Sequence, residues 1–283
     1  MAPEPRVSDD GAPLRRSSAA LARLRRLSRR RDVRREESLL LVDGPVLLAD
    51  AVETGAAVVE VFVEEDSVLT AEVPAGVPVR TVASGELAKV LDVVTPRGVV
   101  AVVRRPQHTL AEVLARAVDT ERPVVVLVGI QDPGNAGTLV RVAEASDAAG
   151  VVLTDGSVDV WSPKAVRASA GSALRVPVVV DVPCAEVLGA AADRGLPTVG
   201  TVPVVGEAPE STDLAGAFVL LLGNEAHGLP EEAVASVGRL VSIPMSGAVE
   251  SVNAGVAGAV LLFEAARQRR AGTGERSAGG GGS

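Results

Sequence analysis

The chain has 283 residues, a formal net charge of −8 and a 47% share of hydrophobic residues, enough to build a large buried core. Only four residues are aromatic, which disfavours binding of single-stranded nucleic acid by base stacking. One cysteine and two histidines cannot supply a zinc site or a disulfide framework, and they indicate a reducing compartment. No apolar run is long enough to cross a membrane.

The charge is distributed unevenly along the chain. Residues 12–35 carry ten arginines and one acid, a net charge of +9, which leaves −17 on the remainder. A basic segment on an acidic body is typical of a protein that binds a polyanion, because arginines release counterions from phosphates. A solvated tail is the alternative. A transit peptide is disfavoured because Leu21, Leu24 and Leu27 recur at helical spacing.

The next part of the chain alternates short β-branched runs with helical patterns, which indicates a small α/β unit. Its predicted strands lie at 39–42, 58–63, 77–82 and 99–103, with helices at 45–54 and 85–91. A polar linker that contains a proline follows at 104–107, and then a helix at 110–118.

A second α/β unit begins at Pro123. Its first strand, 124–128, is continuously apolar, as in strands buried on both faces of a parallel sheet. Further strands are predicted at 151–153, 176–180, 198–201, 218–222 and 240–243. We therefore predict a mostly parallel sheet covered by helices on both sides. The glycine-rich composition of 272–283 predicts a disordered tail.

Three segments of the second unit carry more glycine and polar residues than a sheet requires. The first, 129–137, leads into a helix that carries Arg141. A start near Gly134 or Asn135 would put Gly137 and Arg141 one turn apart on one face, with room for a phosphate or a sugar. The alternative is an asparagine cap followed by a solvated arginine.

The second segment is 222–230, directly after an apolar strand. Gly223 and Gly228 allow positive φ and close backbone approach. The glycine pattern is neither that of a dinucleotide fold nor that of a P-loop. The sequence has no G-x-S-x-G motif, so His227 is not expected to be the base of a hydrolase triad. We expect it to form a hydrogen bond within its loop.

The third segment is 243–247, followed by a helix that Ser251 is expected to cap and that would end near Gln268. Gly255 and Gly258 weaken a helix, so a second helix or a ligand must come close there. An apolar stripe falls on one helix face and comprises Val252, Val256, Ala259, Val260 and Phe263. This stripe either packs on the chain's own sheet or pairs with a second copy.

In order and spacing, these segments resemble the SpoU-type RNA ribose methyltransferases over about residues 123–266. The matching positions are Asn135, Gly137 and Arg141; then Gly223, Asn224, Glu225 and Gly228; then Ile243, Pro244, Met245, Gly247, Ser251 and Asn253. Val252 stands where the family usually has Leu, and Gly255 where it usually has Ser.

The resemblance implies an α/β fold with a mostly parallel sheet, a C-terminal trefoil knot and a small α/β substrate-binding domain in front. It also implies methyl transfer from S-adenosylmethionine to a ribose 2′-hydroxyl in structured RNA. Arg141 would bind a phosphate and stabilise the developing alkoxide. The residues expected to orient the ribose are Asn135, Glu225, Ser251 and Asn253, and those expected to hold the cofactor are Leu222, Gly223, Ile243, Met245 and Val252.

The front of the chain resembles a small RNA-binding domain similar to certain ribosomal proteins. The predicted RNA contacts are Arg23, Arg26, Arg30 and Arg167. The expected division is a disordered basic arm 1–19, an RNA-binding domain 20–105, a linker and helix 106–120, a methyltransferase domain 121–271 and a disordered tail 272–283.

The expected partner is ribosomal RNA, with 23S RNA favoured over transfer RNA, and the expected assembly is a homodimer in a bacterial cytoplasm. A role in antibiotic resistance remains open. Two other classes of function stay as alternatives, a non-catalytic RNA-binding protein and a nucleotide-dependent enzyme with a doubly wound sheet. Binding of S-adenosylmethionine separates the first alternative from a methyltransferase.

Overall fold

The structure, a computed structural model, describes residues 13–91, 97–246 and 251–278. The chain divides into two compact units. The first comprises the chain up to Pro106 together with Asp159–Arg175, and the second comprises Gln107–Val158 and the chain from Val176 onward. The division falls within the predicted linker at 104–107. The segment Asp159–Arg175, which the sequence placed in the methyltransferase domain, thus groups with the first unit.

The helices alternate with the strands along most of the chain. Their bounds are α1 Ala19–Arg29, α2 Arg31–Glu37, α3 Pro45–Glu53, α4 Glu86–Leu91, α5 Leu110–Thr120, α6 Pro133–Ala145, α7 Pro163–Ala168, α8 Ser172–Arg175, α9 Cys184–Ala192, α10 Glu231–Ser236 and α11 Ala254–Ala278. Within the described ranges, none of these helices is long and apolar enough to cross a membrane.

The first unit is built on a four-stranded sheet with the strand order β1-β4-β2-β3. The strands are β1 Leu39–Asp43, β2 Val58–Glu64, β3 Val79–Val82 and β4 Val99–Arg104. β4 pairs antiparallel with both β1 and β2, whereas β2 and β3 are parallel. Leu21, Leu24 and Leu27 of α1 are buried in the core of this unit, as their spacing predicted.

Most of the basic segment is folded. Its arginines from Arg23 onward lie in α1 and α2 or between them. Leu14, within the predicted disordered arm 1–19, forms a β-bridge with Val82. Residues 1–12 of that arm lie outside the described residues, as do residues 279–283 of the predicted tail.

The second unit contains a six-stranded sheet with the order β10-β8-β9-β5-β6-β7, and all of its strand pairs are parallel. The strands are β5 Val124–Leu127, β6 Gly150–Thr154, β7 Val178–Val182, β8 Thr198–Thr201, β9 Val219–Leu222 and β10 Arg239–Val241. This confirms the predicted mostly parallel sheet. β5 and β9 are adjacent and parallel, so the loops that follow them leave the same edge of the sheet.

Two helix starts differ from the prediction. α6 begins at Pro133 and is capped by Asp132, whose Oδ1 accepts a hydrogen bond from the Asn135 amide at 2.9 Å. The asparagine cap of the alternative is therefore wrong, whereas its exposed helical Arg141 agrees with the structure. The Asn135 side chain is available for other contacts. α11 begins at Ala254 and is capped by Asn253 rather than Ser251, because Asn253 Oδ1 accepts from the Gly255 amide at 2.8 Å. The helix continues beyond Gln268 to Ala278, into the predicted tail.

The glycines of α11 allow it to pack closely on its neighbours. A Cβ added at Gly258 would lie 2.3 Å from Leu139 Cδ2 of α6 and 2.9 Å from Leu222 Cδ1 of β9. Real Cβ atoms do not come so close to other atoms, so a larger residue would force the buried side chains of Leu139 and Leu222 to shift where the two helices cross. Gly255 of α11 also faces α6, because a Cβ added to it would lie 3.3 Å from Thr138 Cγ2.

The apolar stripe of α11 does not pack on the chain's own sheet. Val256 and Phe263 are 50% and 47% exposed, and Val260 is exposed as well. Val252, which precedes the observed start of the helix, is also exposed. Among the side chains of α11 up to Gly272, those that are buried lie on its other face and are Leu261, Leu262, Ala265 and Ala266. That alternative is therefore wrong, and the exposed stripe is available for a partner.

Candidate active site

A cavity of about 400 Å³ lies in the second unit at the carboxyl ends of β8, β9 and β10. The cavity is lined by all five residues predicted to hold the cofactor, namely Leu222, Gly223, Ile243, Met245 and Val252. Glu225 and Ser251 also line it. Of the matching motif positions, Gly247 lies outside the described residues.

The loop after β9 forms one wall of this cavity by folding back on itself. The Asn224 amide donates to the Gly228 carbonyl at 3.0 Å, and the Gly228 amide donates to the Asn224 carbonyl at 2.8 Å. Gly228 has a φ of +68°, as expected. Gly223 is needed for a different reason, because a Cβ added to it would lie 2.3 Å from the Gly228 carbonyl carbon. Side chains larger than glycine are excluded at this turn.

The cavity fits S-adenosylmethionine. Leu222, Leu229 and Leu261 give it apolar walls that suit a purine ring, and the polar loop 223–228 borders it. The missing Cβ at Gly223 brings loop backbone to the edge of the cavity, where amide and carbonyl groups can pair with a polar ligand.

Beside this cavity, three predicted catalytic residues form one hydrogen-bond network. Asn135 Nδ2 donates to Glu225 Oε1 at 2.8 Å, and Asn253 Nδ2 donates to Asn135 Oδ1 at 2.9 Å. These residues come from α6, the loop after β9 and the start of α11. The network therefore fixes the three motif segments relative to one another, and the caps at Asp132 and Asn253 position its two asparagines.

Arg141 lies apart from this network in one chain. It is exposed on α6 and is not among the residues that line the cofactor cavity. One turn before it, Gly137 is buried in the helix. The cavity of one chain, as far as the described residues show, therefore lacks the arginine that the resemblance places at the reaction.

Sequence reasoning gave no role to Gln131. Its Nε2 donates to the Gly129 carbonyl at 3.1 Å and to the Gly156 carbonyl at 2.7 Å, which joins the loops after β5 and β6. Asn224 Nδ2 donates to the same Gly129 carbonyl at 2.7 Å. The only signal in the sequence was a long polar side chain inside a glycine-rich loop.

Three of the four predicted RNA-contacting arginines lie beside carboxylates of the first unit. Arg23 contacts Glu37 at 2.6 Å, and Arg30 pairs with Asp32. Arg167 Nε lies 3.7 Å from Oδ2 of Asp43, a buried carboxylate. The fourth, Arg26, is exposed on α1.

One arginine of the basic segment has a structural role. Arg34 is only 4% exposed, donates to Asp159 Oδ2 at 2.8 Å and to the carbonyl of Ser28 at 2.9 Å, and so cannot reach a phosphate. The sequence pattern counted it with the surface arginines because composition does not reveal burial.

Comparison with known proteins agrees with this geometry. Residues 122–263 match the model of the SpoU rRNA Methylase family. The chain is 29% identical to the 23S rRNA (guanosine(2553)-2′-O)-methyltransferase RlmP of Bacillus subtilis over 81% of this chain and 89% of that protein. It is 32% identical to the uncharacterized tRNA/rRNA methyltransferase slr1673 of Synechocystis over 83% of this chain and 86% of that protein.

A solved structure matches as well. The SpoU methyltransferase AviRb from Streptomyces viridochromogenes superposes with a TM-score of 0.80 at 30% identity, covering 90% of this chain and 99% of that one. Its complex with the cofactor AdoMet gives a TM-score of 0.77 at 28% identity, covering 90% of this chain and all of that one. The fold match supports the trefoil knot predicted from the resemblance, and the AdoMet complex supports S-adenosylmethionine as the cofactor. The chain belongs to the SpoU rRNA methylase family and is an S-adenosylmethionine-dependent RNA 2′-O-methyltransferase.

Proposed function

We propose that this enzyme methylates a ribose 2′-hydroxyl of 23S ribosomal RNA, in the cytoplasm of a bacterium. The observation that carries the proposal is the network of Asn135, Glu225 and Asn253 at the edge of a cavity that fits the cofactor. The name of the Bacillus subtilis relative supports a 23S target. Transfer RNA is the second candidate, because the Synechocystis relative carries both RNA classes in its name.

The reaction needs a nucleophile that is poorly ionised in water. S-adenosylmethionine bound in the cavity supplies an electrophilic methyl group. The 2′-hydroxyl must lose its proton as it attacks, so the site has to stabilise negative charge on that oxygen and hold it in line. Arg141 stays protonated, and we assign to it phosphate binding and stabilisation of the alkoxide. Asn135, Glu225, Ser251 and Asn253 orient the ribose.

A homodimer accounts for two observations on the single chain. The stripe of Val252, Val256, Ala259, Val260 and Phe263 is an apolar surface of the kind that marks a protein interface. Arg141 does not line the cavity of its own chain. Twofold pairing through the stripe uses the same surface on both copies, and we propose that Arg141 of the partner subunit then completes each site.

Subunit mixing tests this arrangement. Arg141→Ala removes the arginine, and Gly223→Ala obstructs the cofactor loop, so each homodimer should be inactive. A mixed dimer retains one intact cavity faced by one intact arginine and should recover activity. If Arg141 acts within its own chain, the mixture stays inactive and the shared site is excluded.

Charge placed in the stripe tests the dimer itself. Phe263→Asp should give a monomer by sedimentation and abolish methyl transfer. Val118→Asp is the matched control, because Val118 is also exposed and apolar but lies on α5. An active monomer would refute the proposal.

The RNA target follows from a direct assay. Labelled S-adenosylmethionine is incubated with separate pools of ribosomal and transfer RNA, and the methylated nucleotide is mapped. Label in the ribosomal pool is expected. Label confined to transfer RNA would replace the proposed target with the second candidate.

A further inference from the structure

A second cavity adjoins the cofactor cavity within the second unit. Its volume is about 470 Å³, within the range of ordinary ligand pockets. Asn224, His227 and Gly228 line both cavities, so the loop 224–228 is a wall between them. The other lining residues follow the ends of β5, β6 and β7 or begin α10 and are Val128, Gly129, Thr154, Asp155, Cys184 and Pro230.

Most polar groups around this second cavity are already engaged. Asn224 Nδ2 donates to the Gly129 carbonyl, and Asn224 Oδ1 accepts from the amides of Ala226 and His227. Thr154 Oγ1 accepts from the Gly129 amide at 3.1 Å. These bonds hold the walls in place.

Three side chains with polar atoms remain for a ligand, those of Asp155, His227 and Cys184. Burial raises the pKa of the Cys184 thiol, and the negative charge of Asp155 adds to the rise. The thiol is therefore neutral near pH 7, and the carboxyl group of Asp155 is the acidic side chain of the cavity. In the described part of the chain no ion pair to Asp155 is seen, and Asp155 is an exposed residue that lines the cavity.

We propose that this cavity receives the base of the nucleotide whose ribose is methylated, and that the base is guanine. The inference rests on the proposed function, since it places the base directly across the loop from the methyl donor. RNA enzymes read unstacked bases through hydrogen bonds to the Watson–Crick edge, in pockets of this type.

The carboxylate of Asp155 is what selects guanine. The Watson–Crick edge of guanine has two adjacent donors, N1–H and the 2-amino group, which match the two oxygens of a carboxylate. Adenine and cytosine offer one amino group beside an acceptor nitrogen, and uracil offers one N–H between two carbonyls, which repel a carboxylate. The imidazole of His227 supplies a donor for the acceptor atoms O6 or N7.

Binding of short RNAs tests the base site without requiring turnover. The protein is saturated with S-adenosylhomocysteine and titrated with the trinucleotides UGU, UAU, UCU and UUU, followed by fluorescence anisotropy. UGU is expected to bind about tenfold more tightly than the others, as one bidentate base contact implies. UIU, in which inosine lacks the 2-amino group, is expected to fall between UGU and UUU.

Two variants and a control locate the effect. Asp155→Asn should remove the preference for UGU, and His227→Ala should weaken UGU binding without reordering the four bases. Asp119→Asn removes the same charge from an exposed position on α5 and should leave the preference intact. Equal melting temperatures show that the variants are folded. A guanine preference that survives Asp155→Asn, or a preference for another base, overturns the proposal.

Cofactor binding and the mapped methylation site separate failure of the base site from failure of the proposed function. If Asp155→Asn weakens the binding of S-adenosylmethionine, the cavity is part of the cofactor site and the base site is refuted. If ribosomal RNA is methylated on a nucleoside other than guanosine, the base site fails while the proposed function stands. If no RNA is methylated but UGU binding still depends on Asp155, the proposed function fails, and the inference falls with it: the cavity then binds guanine without holding the base of a methylated nucleotide.

Discussion

The first unit and the candidate site of the second unit use polar side chains in different ways. In the first unit, arginines and carboxylates meet in ion pairs: Arg34 with Asp159, and Arg175 with Asp50 at 3.5 Å, both within that unit. In the second unit, the candidate site is organised by amide side chains and glycine turns, with Glu225 as the carboxylate of the network. The first unit thus uses ion pairs between distant residues, whereas the candidate site of the second unit relies on hydrogen-bond geometry.

This difference separates binding from chemistry. Phosphate recognition tolerates the movement of long, charged side chains because Coulomb attraction acts over several ångströms. Methyl transfer requires the acceptor oxygen and the methyl group in line, where a misplacement of about 1 Å costs about 100-fold in rate. We therefore expect variants in the network to affect turnover, and variants of surface arginines in the first unit to affect RNA affinity.

The largest of these effects is expected at Asn135. Asn135→Asp places a carboxylate against Glu225 and removes the donated hydrogen bond, so the loop after β9 should shift. The turnover number should fall by up to about 100-fold, with little change in S-adenosylmethionine affinity measured by calorimetry. The fold should persist because an acid in the first turn of α6 is favoured there.

A double variant isolates the hydrogen bond. Asn135→Asp combined with Glu225→Gln exchanges donor and acceptor and restores a bond between the two positions. Part of the lost turnover should return. If the fold-loss of the double variant equals the product of the fold-losses of Asn135→Asp and Glu225→Gln, the two changes are independent and the contact between Asn135 and Glu225 does not position the site.

Prediction from the sequence was strongest where the signal is local. Strand 198–201 matches its observed bounds, and the parallel sheet follows from continuous apolar runs such as 124–127. Cap choice was harder, because Asp132 and Asn135, or Ser251 and Asn253, are all good capping residues. The structure assigns the caps to Asp132 and Asn253, and the freed Asn135 side chain reaches Glu225, 90 positions away.

The sequence also could not predict which side chains of a helix are buried by the rest of the chain. Periodicity showed that α11 has an apolar stripe but not whether the chain itself covers it, and Val256 and Phe263 are in fact exposed. Composition likewise could not separate Arg34, which is buried against Asp159, from Arg26 on the surface. Both distinctions depend on contacts between residues far apart in sequence.

Close helix packing gives the next prediction. Gly258→Ala puts a methyl group into Leu139 and Leu222 and should destabilise the second unit by about 1–3 kcal/mol. Gly189→Ala is the matched control, since a Cβ there meets nothing within 4 Å. That change should stabilise α9 by up to about 1 kcal/mol. Urea unfolding followed by circular dichroism measures both, and equal stabilities would show that the α6–α11 crossing can relax.

Buried charge in the first unit predicts a pH effect. Burial raises the pKa of Asp43 above its ordinary value, and Arg167 and Arg97 only partly oppose the rise. The folded state therefore binds a proton at higher pH than the unfolded state. Stability should fall as the pH rises from the ordinary aspartate pKa through the raised one, by at most about 1.4 kcal/mol per pH unit.

Asp43→Asn should remove this dependence and stabilise the first unit near pH 7. Arg167 is left without its carboxylate, but its side chain is about one third exposed and water can solvate it. Trp161 is the only tryptophan of the chain and is buried within this unit, so its fluorescence follows the unfolding of this part alone. Lower stability of the variant at pH 7 would mean that the attraction to Arg167 outweighs the cost of burial.

The smallest effect is expected from single surface arginines of α1, and it tests whether this unit binds RNA by charge. Arg26 is exposed and makes no ion pair among the described residues, whereas Arg23, one turn earlier, is held by Glu37 at 2.6 Å. Neutralising a phosphate contact should lower the salt slope of RNA binding by about one. Arg26→Gln should therefore flatten that slope more than Arg23→Gln, because Arg23 must leave Glu37 before it reaches a phosphate.

Point variants are the right probe, since deleting residues 1–35 would also remove Leu21, Leu24 and Leu27 from the core. Equal slopes for Arg26→Gln and wild type would place the RNA contact of this unit away from this face of α1.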